Sequence, residues 1–268
     1  MTPEASSALR SATIVIPVNA QGDLDGVRHL LGDLAECAAR SVVDVLLVVN
    51  NFAPSDEPPA LAELRALPIS VIAVPQLPLK HGEVKPIAAR VLGARQAAPG
   101  LIIHLDADAR VPHATELVDW YIAQYRRGAM VAATGVGFVD LPPGLSIRAR
   151  VFAHSVARWV KRRVFGTAVT RGSNYATDRG LFLDAYDRGM IADELNVGPA
   201  MVALGAHYAY SSAPRLKVLT SGRRFRPGWG RLLRYLRYRL AYNLRNLPVD
   251  EAAASRTRRW EDPSDRWG

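Results

Sequence analysis

Two carboxylates one residue apart close an apolar run, Leu101-Ile102-Ile103-His104-Leu105-Asp106-Ala107-Asp108-Ala109-Arg110. Such a run reads as a buried parallel strand whose C-terminal end opens into a crevice, the place where open α/β sheets bind ligands. Asp106 and Asp108 share a face if the strand stays straight and diverge if it turns at Ala107. Either geometry suits a hard cation. Mg²⁺ takes oxygen ligands and commonly only one or two carboxylates beside substrate phosphates, so an Asp-x-Asp pair suffices when the substrate is a diphosphate. The competing reading makes Asp108 a cap for a helix over Pro112 to Tyr125 and Asp106 a solvated strand end.

A second acidic pair lies in Ile191-Ala192-Asp193-Glu194-Leu195, ahead of a predicted helix reaching Leu204. One carboxylate could be a general base, although acidic residues also favour a helix N-terminus for electrostatic reasons alone. Between Gly166 and Gly180 the chain is polar and reads as a substrate loop leading into a helix over Leu181 to Tyr186. The backbone donors of its Gly172-Ser173-Asn174 turn could meet phosphate or sugar hydroxyls; an ordinary connection is the alternative. Lys80 and Lys85 precede the aspartate strand, where they meet a diphosphate or are merely solvated. The six histidines, His104 and His207 among them, show no local metal-ligand spacing. His207 is conceivable as a third ligand, and a packed or solvated imidazole is the plainer assumption.

These groups need elements to hold them. Ala12 to Val18 is short, β-branched and apolar, a first central strand ended by Pro17 before a loop at Asn19. Helical spacing follows from Leu24 to Ala39, with Asp23 or Asp25 as cap. The unit repeats as a strand over Val42 to Val49, a helix over Pro58 to Ala66 and a strand over Ile69 to Val74. A further helix opens at Gly82-Glu83-Val84-Lys85-Pro86 and runs to Ala98. This alternation predicts an α/β fold with a mostly parallel sheet and helices on both faces. Asn19, Asn50-Asn51 and Asp106-Asp108 then converge at C-terminal strand ends, in a crevice that fits a nucleotide. Past Gly128, Ala129 to Val139 is strand-like, Leu145 to Val164 is helical and rich in Arg and Lys, and short strands are expected at Ala206 to Tyr210 and Lys217 to Thr220.

With 268 residues and 49% hydrophobic composition, the chain can bury one sizeable core and carry a tail. A lone cysteine, Cys37, excludes an internal disulfide and a cysteine-cluster zinc site. Met1 to Arg10 lacks the apolar core of a secretory signal, and no run reaches the roughly 18 apolar residues of a spanning helix. A cytoplasmic protein, or one peripheral to the inner face of the membrane, is expected. The net charge of +9 is concentrated: residues 223–268 hold 12 Arg and no Lys against 5 Asp plus Glu, 12 − 5 = +7. From Arg231 to Arg245 a helical wheel puts Leu232, Leu233, Leu236, Leu240 and Leu244 on one side, a basic amphipathic helix that could pack on the body, an anionic membrane or a second subunit. Beyond Pro248 the polar, Arg-rich chain is expected to be disordered.

Six segments in order resemble glycosyltransferase family 2, inverting sugar transferases of GT-A (Rossmann-like) fold. They are Ile14-Val15-Ile16-Pro17-Val18-Asn19, the strand and loop from Val45 to Asp56, Leu105-Asp106-Ala107-Asp108, Gly172-Ser173-Asn174-Tyr175-Ala176, Asp193-Glu194-Leu195 and Thr220-Ser221-Gly222-Arg223-Arg224. The resemblance implies a metal-dependent enzyme moving a sugar from a nucleotide-diphosphate sugar to an acceptor hydroxyl. Pro17, Asn19, Asn50, Asn51, Lys85, Asp106, Arg223 and Arg224 would hold the donor, and Gly172, Ser173 and Asn174 the acceptor. Asp108 would bind Mn²⁺ or Mg²⁺ directly, while Asp106 meets the ribose or the metal through water. Two departures stand out. The family usually has an acidic residue where this chain has Asn50-Asn51, and Glu-Asp where it has Asp193-Glu194. Counting back from Gly205 aligns Glu194 with the usual base, whereas side-chain type favours Asp193, the residue preferred on sequence. The implied division is an N-terminal tail (1–11), a transferase domain (12–226, with its nucleotide-binding half at 12–110 and acceptor half at 111–226), an amphipathic helix (227–247) and a disordered tail (248–268). Two other classes compete: a non-catalytic relative that binds a nucleotide sugar, and a protein that binds nucleic acid through its Arg/Tyr tail, although no nucleic-acid partner is expected.

Overall fold

A computed structural model describes residues 12–38, 43–55, 57–79, 85–141, 143–164, 166–171, 174–222, 230 and 233. The N-terminal half alternates as the apolar runs predict: β1 (Ala12–Asn19), α1 (Leu24–Asp33), α2 (Ala35–Ala38), β2 (Val43–Asn50), α3 (Pro59–Arg65), β3 (Ser70–Val74), α4 (Lys85–Gln96) and β4 (Leu101–Leu105). There follow α5 (Ala114–Arg126), β5 (Ala129–Thr134), β6 (Val136–Val139), α6 (Leu145–Arg163), β7 (Asn174–Asp178), α7 (Arg179–Asp187), α8 (Glu194–Ala203), β8 (His207–Ser211) and β9 (Val218–Ser221). Seven strands form one sheet in the order β3-β2-β1-β4-β7-β5-β8. All its pairings are parallel except the two made by β7, which runs antiparallel between β4 and β5. The remaining pair, β6 and β9, forms a small parallel sheet.

Side chains alternate across the main sheet, and each face buries its own set. Ile14, Ile16, Leu47, Val49, Ile103 and Leu105 point to the side covered by α1, α2, α3 and α5. Val15, Val48, Ile102 and Tyr175 point to the side of α4, α7 and α8. Burial of strands on both faces is why their sequences run apolar without alternation. Beyond Val15, β1 keeps only its β2 partner, so Pro17, in the middle of the pairing with β2, sits where the ladder is already one-sided.

The structure departs from the sequence reading in five places. Pro17 does not end β1, which stays paired with β2 as far as Asn19. The helix expected over Leu24 to Ala39 breaks at Leu34 into α1 and α2. Asp23 precedes α1 but does not cap it through its side chain; the carboxylate turns back to accept from the Asn19 N–H at 2.9 Å. The run from Ala129 to Val139 divides at Gly135 between two sheets, its N–H bonded to Ser211 and its carbonyl to Val218. Most consequential is Asn174–Asp178. Its composition, Asn-Tyr-Ala-Thr-Asp, reads as loop, yet it is a central strand with all but its last residue buried. Apart from Gly230 and Leu233, the tail helix and everything after it lie outside the described residues.

Candidate active site

The C-terminal ends of β1, β2 and β4 meet as the topology requires. Asn19 and Asn50 are register partners. Asn50 is buried and its amide donates to the Val18 carbonyl at 3.2 Å; Asn51, in the left-handed region at φ 67°, donates to Asn19 Oδ1 at 2.9 Å. The two amides thus tie the loops after β1 and β2 together. After β4 the chain turns at once, the Ala109 N–H bonding the Asp106 carbonyl at 3.0 Å, so the strand does not run straight on through Asp108. Both are half-buried, with Ala107 packed beneath them. Helix α1 passes against this turn: a Cβ on Gly26 would lie 3.1 Å from the Ala107 oxygen and 3.3 Å from Asp108 Cα. Asp108 does not cap α5, whose N-cap is His113.

The residue that organises the site is one the sequence reading missed. Arg90 is fully buried in α4 and its guanidinium grips two carboxylates, donating from Nη2 to Asp106 Oδ1 at 2.6 Å and from Nη1 to Glu194 Oε1. Burial opposes its charge, but Glu194, and then Asp106, outweigh that, holding the guanidinium above its already high ordinary value. Gly93 explains how the helix comes close enough: a Cβ there would strike Val15 and Val48 on the sheet. The available clue was an arginine among Ile87, Ala88, Ala89, Val91 and Ala94, where every neighbour is apolar.

Beside this cluster His104 stacks on Tyr175 with ring centroids 4.4 Å apart, and its Nε2 is 2.9 Å from Thr177 Oγ1. Burial, then the nearby Arg90 charge, push the imidazole well below its ordinary pKa, so it stays neutral. The Tyr175 hydroxyl is buried, with no hydrogen-bond partner among the described residues. Burial raises its pKa, keeping it a neutral phenol next to the Arg90 cluster.

The acidic pair divides its work. Asp193 is the N-cap of α8, accepting from the Leu195 N–H at 2.7 Å, while Glu194 reaches Arg90 beside Asp106. Thr170 supports this corner, donating to the Glu194 carbonyl at 2.8 Å and accepting from the Gly198 N–H at 3.1 Å. The geometry therefore joins the Glu194 carboxylate to the aspartate strand through Arg90, while the Asp193 carboxylate, preferred on sequence, is the helix cap.

Two other assignments are corrected. Asn174 is not presented from a loop: it is buried in β7, its Oδ1 accepting from the Tyr121 hydroxyl and its amide donating to Thr134 Oγ1, so its polar atoms serve the core. His207 begins β8 opposite Ala129, at the far end of the sheet from Asp106, and cannot be a third ligand. Lys85 is exposed at the first residue of α4, and Pro17 is half-buried in β1. Asp56, Lys80, Gly172, Ser173, Arg223 and Arg224 lie outside the described residues.

Among the described residues no group of three His, Cys, Asp or Glu side chains is arranged to hold a metal. What is present is an all-oxygen pair, Asp106 and Asp108, one of them already bonded to Arg90. That donor set fits a hard cation whose remaining ligands come from substrate, and does not fit a cation caged by protein alone.

No family model and no curated protein matches the sequence. Solved structures do. A mannosyltransferase from Pyrobaculum calidifontis, in complex with GDP-Man and Mn²⁺, superposes with a TM-score of 0.57 at 15% identity, over 96% of this chain and 71% of its own. Glucosyl-3-phosphoglycerate synthase from Mycobacterium tuberculosis, in complex with UDP, gives 0.52 at 17% identity, over 92% and 84%. S. aureus TarS 1-349 gives 0.51 at 13% identity, over 96% and 73%. At such identities the likeness is one of fold, and the chain shares the Rossmann-like fold of these proteins.

Proposed function

We propose that this chain is a metal-dependent, inverting glycosyltransferase acting on a nucleotide-diphosphate sugar and an acceptor hydroxyl. The observation that carries the reading is the Arg90 bridge, which joins the carboxylate at the end of the nucleotide-side strand to the carboxylate on the helix of the acceptor half. A sheet built only for stability has no need to bury a guanidinium between two half-exposed acids. The donor's nucleotide would lie over the ends of β1, β2 and β4, where Asn19, Asn50 and Asn51 frame the loops. Asp108 would hold Mn²⁺ or Mg²⁺, with Asp106 on the ribose or reaching the ion through water, and the bound cation would offset charge on the departing diphosphate.

Glu194 is the base in this proposal, because Asp193 serves as the helix cap and Glu194 faces the aspartate strand. It takes the proton as the acceptor oxygen bonds to the anomeric carbon; the bond from that carbon to the phosphate oxygen breaks, and the nucleoside diphosphate leaves with the electron pair. Attack opposite the leaving group inverts the anomeric centre. Arg90 keeps Glu194 and Asp106 in register, and Thr170 steadies the start of α8.

The test is transfer or hydrolysis across a panel of nucleotide sugars with Mn²⁺ or Mg²⁺. Glu194→Gln is expected to lower kcat by about 10²–10⁴-fold, the usual contribution of a general base, with unchanged donor affinity by calorimetry. Asp108→Ala is expected to abolish turnover and metal-dependent donor binding without unfolding the protein. Full activity in Asp108→Ala, or no reaction with any donor, rejects the proposal. Donor binding without turnover in the wild type would identify a nucleotide-sugar-binding relative instead.

A further inference from the structure

Helix α6 has two apolar faces, and the body of the protein accounts for one. Inward, Ile147 packs with Phe138, Leu141 and Val151, and His154 meets the Phe138 ring edge-on at 5.9 Å. Near its C-terminus, Arg162 lies over the Tyr210 ring at 3.8 Å. Outward, Leu145, Phe152, Val156 and Trp159 are 83%, 70%, 41% and 54% exposed. At 100° per residue these four, with exposed Ala149, fall within an arc of about 80°, and at 1.5 Å per residue they run along about 21 Å of helix. Arg148 and Arg163 are exposed along the same stripe. A continuous apolar strip of this kind marks an interaction surface.

Charge identifies the occupant. Leu145–Arg163 contains no acidic residue, and of its five arginines Arg148 and Arg163 are exposed beside the strip, while Arg150 is buried and Arg162 stacks on Tyr210. Residues 223–247 contain eight arginines and again no Asp or Glu, so the sequence of this segment offers the helix no complementary charge. A second copy of α6 would bring the same positive charge against itself. An apolar strip with a tryptophan and a phenylalanine, rimmed by long basic side chains, matches a helix lying in the plane of an anionic bilayer, its aromatics at the acyl boundary and its guanidinium groups on headgroup phosphates.

We propose that the outer face of α6 docks this protein onto an anionic lipid surface. The helix leads towards residues 166–171, whose Thr170 donates to the Glu194 carbonyl at 2.8 Å, so one short segment separates the strip from the Arg90 cluster. Neither donor nor metal takes part, which makes the proposal independent of the catalytic reading.

The experiment is flotation of the full chain with phosphatidylcholine vesicles, with and without phosphatidylglycerol at about one lipid in three, in low and high salt. Wild type is expected to bind the anionic vesicles at least about tenfold more tightly than the neutral ones and to be released by salt. F152E/W159E is expected to lose about tenfold or more of that affinity with an unchanged unfolding temperature, since both side chains are mostly in solvent. R148E/R163E gives a second, purely electrostatic test and is expected to weaken binding in the same direction. Wild-type indifference to lipid charge, no wild-type binding to either vesicle, or equal binding by wild type and both variants overturns the proposal, the last assigning the membrane contact to another part of the chain. A concentration-dependent wild-type dimer that F152E/W159E dissociates also overturns it, by showing that a second copy covers the strip.

Discussion

The two faces of the central sheet solve the burial of polar groups differently. Towards α5 the polar members are neutral: Asn174, Tyr121 and Thr134 hydrogen-bond one another, and Thr134 Oγ1 also donates to the Leu216 carbonyl at 2.6 Å. Towards α4 and α8 a charge is buried as well, beside the neutral His104 and Thr177: Arg90 is fully buried, while its partners Asp106 and Glu194 keep side-chain exposures of 34% and 22%. A neutral cluster can be sealed once its donors meet acceptors, whereas a buried cation needs acids with continued access to water or substrate. The charged face is therefore the face that reaches the crevice.

This contrast can be broken by experiment. The largest effect is expected from removing both acids: Asp106→Ala with Glu194→Ala, which strips Arg90 of two carboxylates, should destabilise the fold by about 3–5 kcal/mol in urea unfolding. Arg90→Met should cost less, about 1–3 kcal/mol, because the remaining carboxylates can hydrate. The reverse order would show that the guanidinium is not held by these two acids. Next comes the neutral face. Asn174→Leu leaves the Tyr121 hydroxyl without its acceptor and is expected to cost about 1–3 kcal/mol while leaving the acceptor KM unchanged. A raised KM at unaltered stability would return Asn174 to the acceptor site.

The smallest effect is a slope. Because the folded pKa of His104 lies well below its unfolded value of about 6.5, the unfolded chain takes up a proton that the folded chain refuses. Its contribution to stability is complete above that value and is lost as pH falls through it, by at most about 1.4 kcal/mol per pH unit. His104→Gln should flatten this part of the stability–pH curve. An identical slope in the variant would show that His104 titrates normally in the fold.

Much of the N-terminal half was legible because its signals are local. Runs such as Ile14-Val15-Ile16 and Val45-Leu46-Leu47-Val48-Val49 can hardly be anything but doubly buried strands, and the aspartates that end β4 mark the crevice by themselves. The C-terminal half was less legible because β7 is specified by its neighbours. Asn174, Tyr175 and Thr177 are strand residues only because Tyr121, His104 and Thr134 stand opposite with matching hydrogen-bonding groups and ring faces. Sequence alone could place Asp193 and Glu194 side by side but had no means of separating the cap from the residue that reaches the site.

By itself, then, the order of residues determined the alternation of strands and helices, the apolar core and the position of Asp106 and Asp108 at a strand end, since each follows from side-chain periodicity over a few consecutive residues. Only the tertiary structure decided that Arg90 joins Asp106 to Glu194 and that α6 keeps a second apolar face outside. Both depend on the distance between segments far apart in the chain, a quantity that packing sets and local spacing does not contain.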